Sequence, residues 1–176
     1  MKLLSKLLML MILSTVYLLS SITLPSNFKA NFSQKITNPK GKVIKYSGKV
    51  YFSNKKIFKW KYTRPTKKEV CTNGTNILIV DHDLEQVSKY FVKNGINISK
   101  ILKKAKPYKK NIYLAKYKKK SYTIQLNNNK LQAIAYFDDL DNKVQIVFRD
   151  MRYANGNLPS KLMKCKYPKS YDWIEG

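Results

Sequence analysis

Along much of this chain, apolar and polar residues alternate one by one. Residues 28–36, FKANFSQKI, follow this pattern, and residues 57–62, IFKWKY, repeat it. Side chains of a β-strand point alternately to its two faces, so the pattern predicts strands with one buried face. Roughly ten or eleven such segments follow one another, separated by short turns such as Asn73-Gly74, which suits a tight hairpin. We therefore expect one mainly β domain built as an antiparallel meander.

One segment follows a helical pattern instead. Ile98, Ile101 and Leu102 recur at helical spacing, Asn97 is placed to cap the amino end, and Pro107 is expected to stop the helix. The predicted strands cover residues 28–36, 42–53, 57–62, 67–72, 77–80, 85–92, 111–117, 121–126, 131–137, 143–149 and 161–166.

The first residues have the order of a secretory signal peptide. Lys2 and Lys6 precede an apolar run over residues 7–19, and small polar residues follow it. The run is shorter than the roughly 20 residues that span a bilayer, although an uncleaved anchor is the alternative because no A-x-A cleavage site is present. We expect a signal peptide over residues 1–22, an exported domain over 23–176, and no lipid-modified cysteine at the processed end.

The chain is strongly basic. Its formal net charge is +25, and loss of the two charges of Lys2 and Lys6 with the signal would leave +23. Such a charge attracts anionic surfaces, either nucleic acid or acidic lipid. Lysine and asparagine occur throughout the sequence, which favours solvated faces over one focused patch, and export argues against nucleic acid as the partner.

Two cysteines, Cys71 and Cys165, lie in the exported part. An oxidising compartment permits a disulfide between them. Each also lies in a predicted strand, where a thiol packs as a small hydrophobic group, and unpaired thiols are the favoured interpretation.

No catalytic or metal-binding pattern is found. His82, the single histidine, lies between Asp81 and Asp83, but neighbouring residues of a strand point to opposite faces, so a polar turn is the better interpretation. The aspartates at 138, 139 and 141 lack the glycine and the distal glutamate of a calcium loop and indicate a hairpin turn. Nucleophile and phosphate-loop motifs do not occur. We expect neither an enzyme nor a cofactor or metal.

An aromatic face is the feature that remains. Phe58, Trp60 and Tyr62 share one face of a strand, and Val50 and Phe52 of the preceding strand can join them. A sheet of about eleven strands has more apolar face than one short helix covers. The surplus suits acyl chains, since apolar burial is non-directional and contributes about 0.8 kcal/mol per methylene.

Five sequence elements in a fixed order resemble a known family. They are FKANFSQ at residues 28–34, YSG at 46–48, FKWKYTRP at 58–65, NG at 73–74 and DHDLEQV at 81–87. Together, behind a signal peptide, they resemble the outer-membrane lipoprotein carrier protein (LolA) family from Phe28 to about Leu102, and more weakly towards the carboxyl end.

The resemblance implies an unclosed antiparallel β-barrel of about eleven strands with a small helical lid over its concave face. It implies a monomeric periplasmic carrier that takes lipid-modified proteins from an ATP-driven inner-membrane transporter, an ABC transporter, to an outer-membrane acceptor or to the outer membrane itself, without catalysis. The implied acyl-chain-binding residues are Val50, Phe52, Phe58, Trp60, Tyr62 and Val70, and the implied apolar face of the lid is Ile98, Ile101 and Leu102.

The sequence departs from the family at two places. The Arg-Pro pair that latches the lid in many members is replaced by Asn54-Lys55, which implies either a weaker latch or one in which Lys55 substitutes for the arginine. The usual amino-terminal helix has little room, because only residues 21–27 lie between the signal and the first strand and Pro25 interrupts them.

Two other functions stay open at this point. One is the acceptor on the outer-membrane side or a general lipid binder, although an acceptor would need a lipid-modified cysteine at its mature amino terminus. The other is a basic polyanion-binding protein, which the net charge alone would favour.

Overall fold

The computed structural model describes residue 22 and residues 26–53, 57–91 and 98–175. This part of the chain forms one twelve-stranded sheet and two short helices. The strands are β1 Phe28–Thr37, β2 Val43–Ser53, β3 Ile57–Arg64, β4 Lys68–Thr72, β5 Asn76–Asp81, β6 Gln86–Phe91, β7 Lys106–Lys109, β8 Ile112–Tyr117, β9 Lys120–Asn127, β10 Lys130–Phe137, β11 Lys143–Tyr153 and β12 Asp172–Glu175; the helices are α1 Ile98–Lys103 and α2 Ser160–Met163.

The sheet is an antiparallel meander in two halves, and the first strand lies in its middle and joins them. Its order is β12-β6-β5-β4-β3-β2-β1-β11-β10-β9-β8-β7, with β1 between β2 and β11. All neighbouring strands are antiparallel except β12, which runs parallel to β6. Because β7 and β12 stand at opposite ends of this order, the sheet is unclosed, which confirms the predicted fold class.

Most of the predicted strands are confirmed, and three differences remain. Residues 161–166 were expected to form a strand, but residues 161–163 belong to α2 and residues 164–166 follow it outside any strand. The sequence pattern missed β7 and β12, four residues each. Pro107 does not stop α1, which ends at Lys103; it lies in β7, at the edge of the sheet, where a strand tolerates a residue without an N–H.

The two faces of the sheet are covered differently. On the inner face, defined as the one that α1 covers, a buried apolar cluster extends from Phe28 and Phe32 to Ile124 and Phe148. Helix α1 packs on β8, and Ile101 and Leu102 are buried in this cluster. The cluster also takes in Ile22, at the end of the predicted signal peptide.

The outer face is covered by the carboxy-terminal segment. Helix α2 packs against β2 and β3, and Cys165 reaches Cys71 of β4. The two cysteines are bonded to each other with Cα atoms 5.8 Å apart. The expectation of unpaired thiols is therefore wrong, because the segment after α2 crosses the sheet directly over β4.

Several predictions fall outside the described residues. They are the signal peptide apart from Ile22, the amino-terminal segment around Pro25, the Asn97 cap, and the latch positions Asn54 and Lys55. Across the described residues, neither helix has the length and apolar content that crossing a membrane requires.

Candidate functional site

A cavity of about 200 Å³ lies between α1 and the inner face of the sheet. Residues of seven strands line it, from β4 at one side to β9 at the other, so the sheet curls around it. The lining is almost entirely apolar or aromatic and consists of Phe28, Gln34, Val50, Phe52, Phe58, Trp60, Tyr62, Val70, Ile98, Ile101, Tyr122, Ile134, Tyr136, Ile146 and Phe148.

The structure brings the six residues predicted for acyl-chain binding to one wall of this cavity. Their strand register explains why: Val50 of β2 lies opposite Trp60 of β3, and Trp60 lies opposite Val70 of β4. Residues directly opposite each other on neighbouring strands point to the same face. Phe52 and Phe58 form another such pair, and Tyr62 follows two residues after Trp60.

The residues predicted for the lid divide into two kinds. Ile98 and Ile101 line the cavity from α1. Leu102 does not line it; its side chain is fully buried in the apolar cluster. The helix thus presents one side to the cavity and is anchored by another.

Phe32 packs against the aromatic wall of the cavity, which consists of Phe52, Phe58, Trp60 and Tyr62. Its ring centroid lies 4.8 Å from that of Trp60 and 5.2 Å from that of Tyr62, the latter in an edge-to-face arrangement. The rings fit because Gly48, beside Phe32 on β2, has no side chain. A Cβ at Gly48 would overlap the backbone oxygen of Lys61 and lie 3.0 Å from the Phe32 ring. The glycine of the YSG element therefore permits close approach of β2 and β3.

Few polar atoms face the cavity. The Tyr62 hydroxyl donates a hydrogen bond to Gln34 Oε1 at 3.2 Å, and burial, followed by the neighbouring Tyr136 and Tyr46, raises the pKa of Tyr62 well above its ordinary range. Burial likewise raises the pKa of Tyr136. Both hydroxyls stay protonated and neutral at physiological pH. The indole N–H of Trp60 is buried and has no acceptor among the described residues.

The acidic turns do not contribute to the cavity. Asp81 pairs with Lys68 at 2.8 Å, Asp83 accepts a hydrogen bond from the backbone N–H of Lys67, and His82 Nδ1 lies 3.2 Å from the Tyr171 hydroxyl. Asp138 accepts hydrogen bonds from the backbone N–H groups of Leu140 and Asn142, which makes it the organising residue of the β10–β11 turn. Both segments are turns, as the sequence predicted.

Seven of the lining residues did not figure among the predicted site residues: Phe28 and Gln34 of β1, Tyr122 of β9, Ile134 and Tyr136 of β10, and Ile146 and Phe148 of β11. The signal that could have found them is the same alternation. Phe32 lies opposite Phe148 and Ile134 lies opposite Ile146, so the inner face continues from β1 across β11 and β10. The alternation does not indicate the curvature of the sheet, which brings this half of it back towards Trp60.

Comparisons with known proteins agree with this architecture. The sequence model of the LolA family, described as outer membrane lipoprotein carrier protein, matches residues 25–105. An outer-membrane lipoprotein carrier protein of Campylobacter jejuni is 37% identical over 149 residues, covering 85% of this chain and 86% of the relative. One of Wolinella succinogenes is 30% identical over 125 residues, covering 70% and 73%.

A solved structure shares the fold at low sequence identity. An uncharacterized conserved protein from Thermus thermophilus superimposes with a TM-score of 0.57 at 9% identity, covering 87% of this chain and 92% of that one. The cavity beneath α1, the ordered sequence elements and the identity to two carrier proteins over most of their length lead to one assignment. This chain belongs to the outer-membrane lipoprotein carrier protein family.

Proposed function

We propose that this protein is a periplasmic carrier that shelters the acyl chains of lipid-modified proteins in the cavity beneath α1. The observation that carries the proposal is the convergence of Val50, Phe58, Trp60 and Val70, with Ile98 from the helix, on one apolar cavity. Burial of methylene groups there contributes about 0.8 kcal/mol each and requires no directional contact, which suits varied lipoprotein cargo.

The size of the cavity implies a movement of α1 during binding. At about 200 Å³, it is smaller than the roughly 300–1,000 Å³ typical of pockets that enclose a drug-sized ligand. Helix α1 has six residues and lies across the cavity from the aromatic wall. Displacement of α1 would enlarge the space without disturbing the sheet, so we assign it the role of a lid.

The family name and the disulfide support an extracytoplasmic site of action. Disulfides persist in the periplasm and are rare in the cytosol, and Cys71 and Cys165 are bonded to each other. Cargo would come from an inner-membrane ABC transporter and pass to an outer-membrane acceptor or to the outer membrane itself. Because the only two cysteines of this sequence are joined, neither is left to carry the lipid that would tether an acceptor.

The proposal is tested with a charge in the cavity and a matched charge outside it. Trp60→Glu places a carboxylate in the apolar wall, whereas Thr63→Glu adds the same charge at an exposed position of the same strand. The assay compares capture of one lipoprotein with and without its acyl chains, and mass spectrometry identifies what co-purifies from the periplasm. Trp60→Glu should abolish capture of the acylated form, and Thr63→Glu should leave it intact.

Folding is monitored separately, since a buried carboxylate also destabilises the protein. Trp60→Phe keeps an apolar aromatic side chain at this position and should retain capture. If Trp60→Glu melts cooperatively and still captures the acylated lipoprotein as the unaltered protein does, the cavity is not the binding site.

A further inference from the structure

The lysines are not evenly spread in the folded chain. Residues 98–120 contain ten lysines and no aspartate or glutamate. This segment forms α1, β7 and β8, which are also neighbours in space, since α1 packs on β8 and β7 pairs with β8. The fold thus gathers this lysine-rich run of the sequence at one edge of the sheet.

An open groove runs along this edge. It has a volume of about 830 Å³ and lies between the carboxyl end of α1 and strands β7, β8 and β9. Its basic rim is formed by the exposed lysines Lys103, Lys104, Lys106 and Lys116, and its apolar part is formed by Ala105, Pro107 and Leu114. We call these four lysines and the groove between them the basic groove.

Little negative charge lies nearby among the described residues. Lys120, at the far end of the segment, pairs with Asp139 at 2.8 Å. Of the basic groove, Lys104 contacts an aromatic ring, with Nζ 5.8 Å from the Tyr117 centroid. Lys103, Lys106 and Lys116 have no acidic partner in the part of the chain that the structure describes. Their charges are available to an anionic partner.

We propose that the basic groove docks this carrier on an anionic lipid membrane. Lysines at an anionic bilayer surface attract it additively, and apolar or aromatic side chains among them enter the headgroup region. Leu114, which lines the basic groove, and Tyr108 of β7 are both exposed and provide such side chains. The carrier function explains why this protein would dock on a membrane, but docking itself does not require bound cargo.

Protection of the sheet edge explains only part of this arrangement. Lysine and proline on an edge strand discourage pairing with another chain, which accounts for Lys106 and Pro107 in β7. It does not account for Lys103, which lies on α1 and not on a strand. Lysines contributed by α1, β7 and β8 together form a broad basic surface, and a membrane is a partner broad enough to contact all of it.

Docking at this edge would bring the lid to the membrane. Tyr122 lines both the basic groove and the cavity, so the two adjoin. Helix α1 likewise contributes Ile98 and Ile101 to the cavity and Lys103 to the groove. Contact of the lysines with headgroups would therefore act on the element that covers the cargo.

The test compares two variants of equal net charge. One replaces Lys103, Lys104, Lys106 and Lys116 with glutamine; the control replaces Lys35, Lys40, Lys42 and Lys45, four exposed lysines of the β1–β2 hairpin. Binding is measured by co-sedimentation with vesicles of phosphatidylcholine alone and of phosphatidylcholine mixed with phosphatidylglycerol. One lysine near an anionic surface is worth about fivefold in binding, and screening by salt reduces this.

We expect the unaltered protein to bind the anionic vesicles and not the neutral ones. The groove variant should lose affinity by at least about tenfold, and the control variant should lose much less. Equal losses in both variants would overturn the proposal in favour of net charge alone. Binding to soluble polyglutamate but not to vesicles would overturn it in favour of an acidic protein partner.

Cargo capture without vesicles separates this result from the carrier function. The groove variant should melt as the unaltered protein does and capture the acylated lipoprotein normally, since its substitutions lie outside the cavity. Loss of vesicle binding with normal capture supports the docking surface. Normal vesicle binding by the groove variant contradicts it, whatever the outcome of the Trp60→Glu experiment.

Discussion

The Lys59 ammonium lies 2.8 Å from the Glu69 carboxylate on the outer face of the sheet, and both side chains are almost completely buried. Lys59 Nζ also donates a hydrogen bond to the backbone oxygen of Lys164, and Glu69 accepts one from the backbone N–H of Lys166. The pair therefore joins two strands to the segment that carries Cys165. This buried ion pair and the disulfide fasten the carboxy-terminal segment at adjacent points.

We predict that Glu69→Gln destabilises the protein by about 3–5 kcal/mol, because it leaves the Lys59 charge buried without its counterion. The control is Lys61→Gln: Lys61 also contacts Glu69, at 3.2 Å, but its side chain is 48% exposed. An exposed pair contributes only about 0–1 kcal/mol. Urea unfolding at neutral pH measures both differences. Equal effects of the two substitutions would show that burial of the Lys59–Glu69 pair is not what matters.

The same pair predicts a dependence of stability on pH. Burial alone would raise the pKa of Glu69, but the hydrogen bond and charge of Lys59 and the Lys166 N–H hold it below its ordinary value. A carboxyl group whose pKa is lowered in the folded state stabilises the folded protein. Its full contribution is present above the unfolded pKa of about 4.3 and disappears as the pH falls through the folded pKa. The stability difference between unaltered protein and Glu69→Gln should therefore shrink below about pH 4.

The disulfide should stabilise the protein mainly through the unfolded state. Cys71 and Cys165 are separated by 94 positions, and closing a loop of that order contributes up to about 4–5 kcal/mol in the chain-entropy estimate. We expect Cys71→Ser/Cys165→Ser to lower the free energy of unfolding by about 2–5 kcal/mol. Reductant should lower the melting temperature of the unaltered protein and leave that of the double variant unchanged. Labelling of both thiols by maleimide in native, unreduced protein would contradict the bridge.

The sequence predicted the inner face of the sheet well, because a two-residue period is a local property. Phe58, Trp60 and Tyr62 had to share a face, and Val50 of the preceding strand, which was expected to join them, lies opposite Trp60. The spacing of Ile98 and Ile101 indicated a helix, and the family resemblance implied that this helix lies over the concave face.

What the sequence could not predict depends on contacts between distant residues. The period placed Lys59 on a polar face, and its burial follows from the segment around Lys164, more than one hundred residues later. Pairing of Cys71 with Cys165 depends on the same crossing. Strand β12 has only four residues and joins β6 in parallel, so it has neither an alternation long enough to detect nor a hairpin turn to mark it.

Burial of Leu102 holds helix α1 in place over the cavity. The Leu102 side chain is fully buried in the apolar cluster, whereas the neighbouring Lys103 is exposed. Helix α1 has no acidic residue in its first turn and is too short to be stable by itself in water. Its place over the cavity therefore depends on the burial of Leu102 and Ile101.

We predict that Leu102→Ala opens the lid more often without unfolding the sheet. Truncation of a buried leucine costs about 2–5 kcal/mol, and here the loss falls on an element that can detach locally. Hydrogen exchange should accelerate in residues 98–103 and change little in β1, while release of bound lipoprotein becomes faster. Lys103→Ala, on the same helix, is the control and should leave both rates near those of the unaltered protein. If exchange accelerates equally in β1, then Leu102 stabilises the whole fold, and α1 does not detach independently of the sheet.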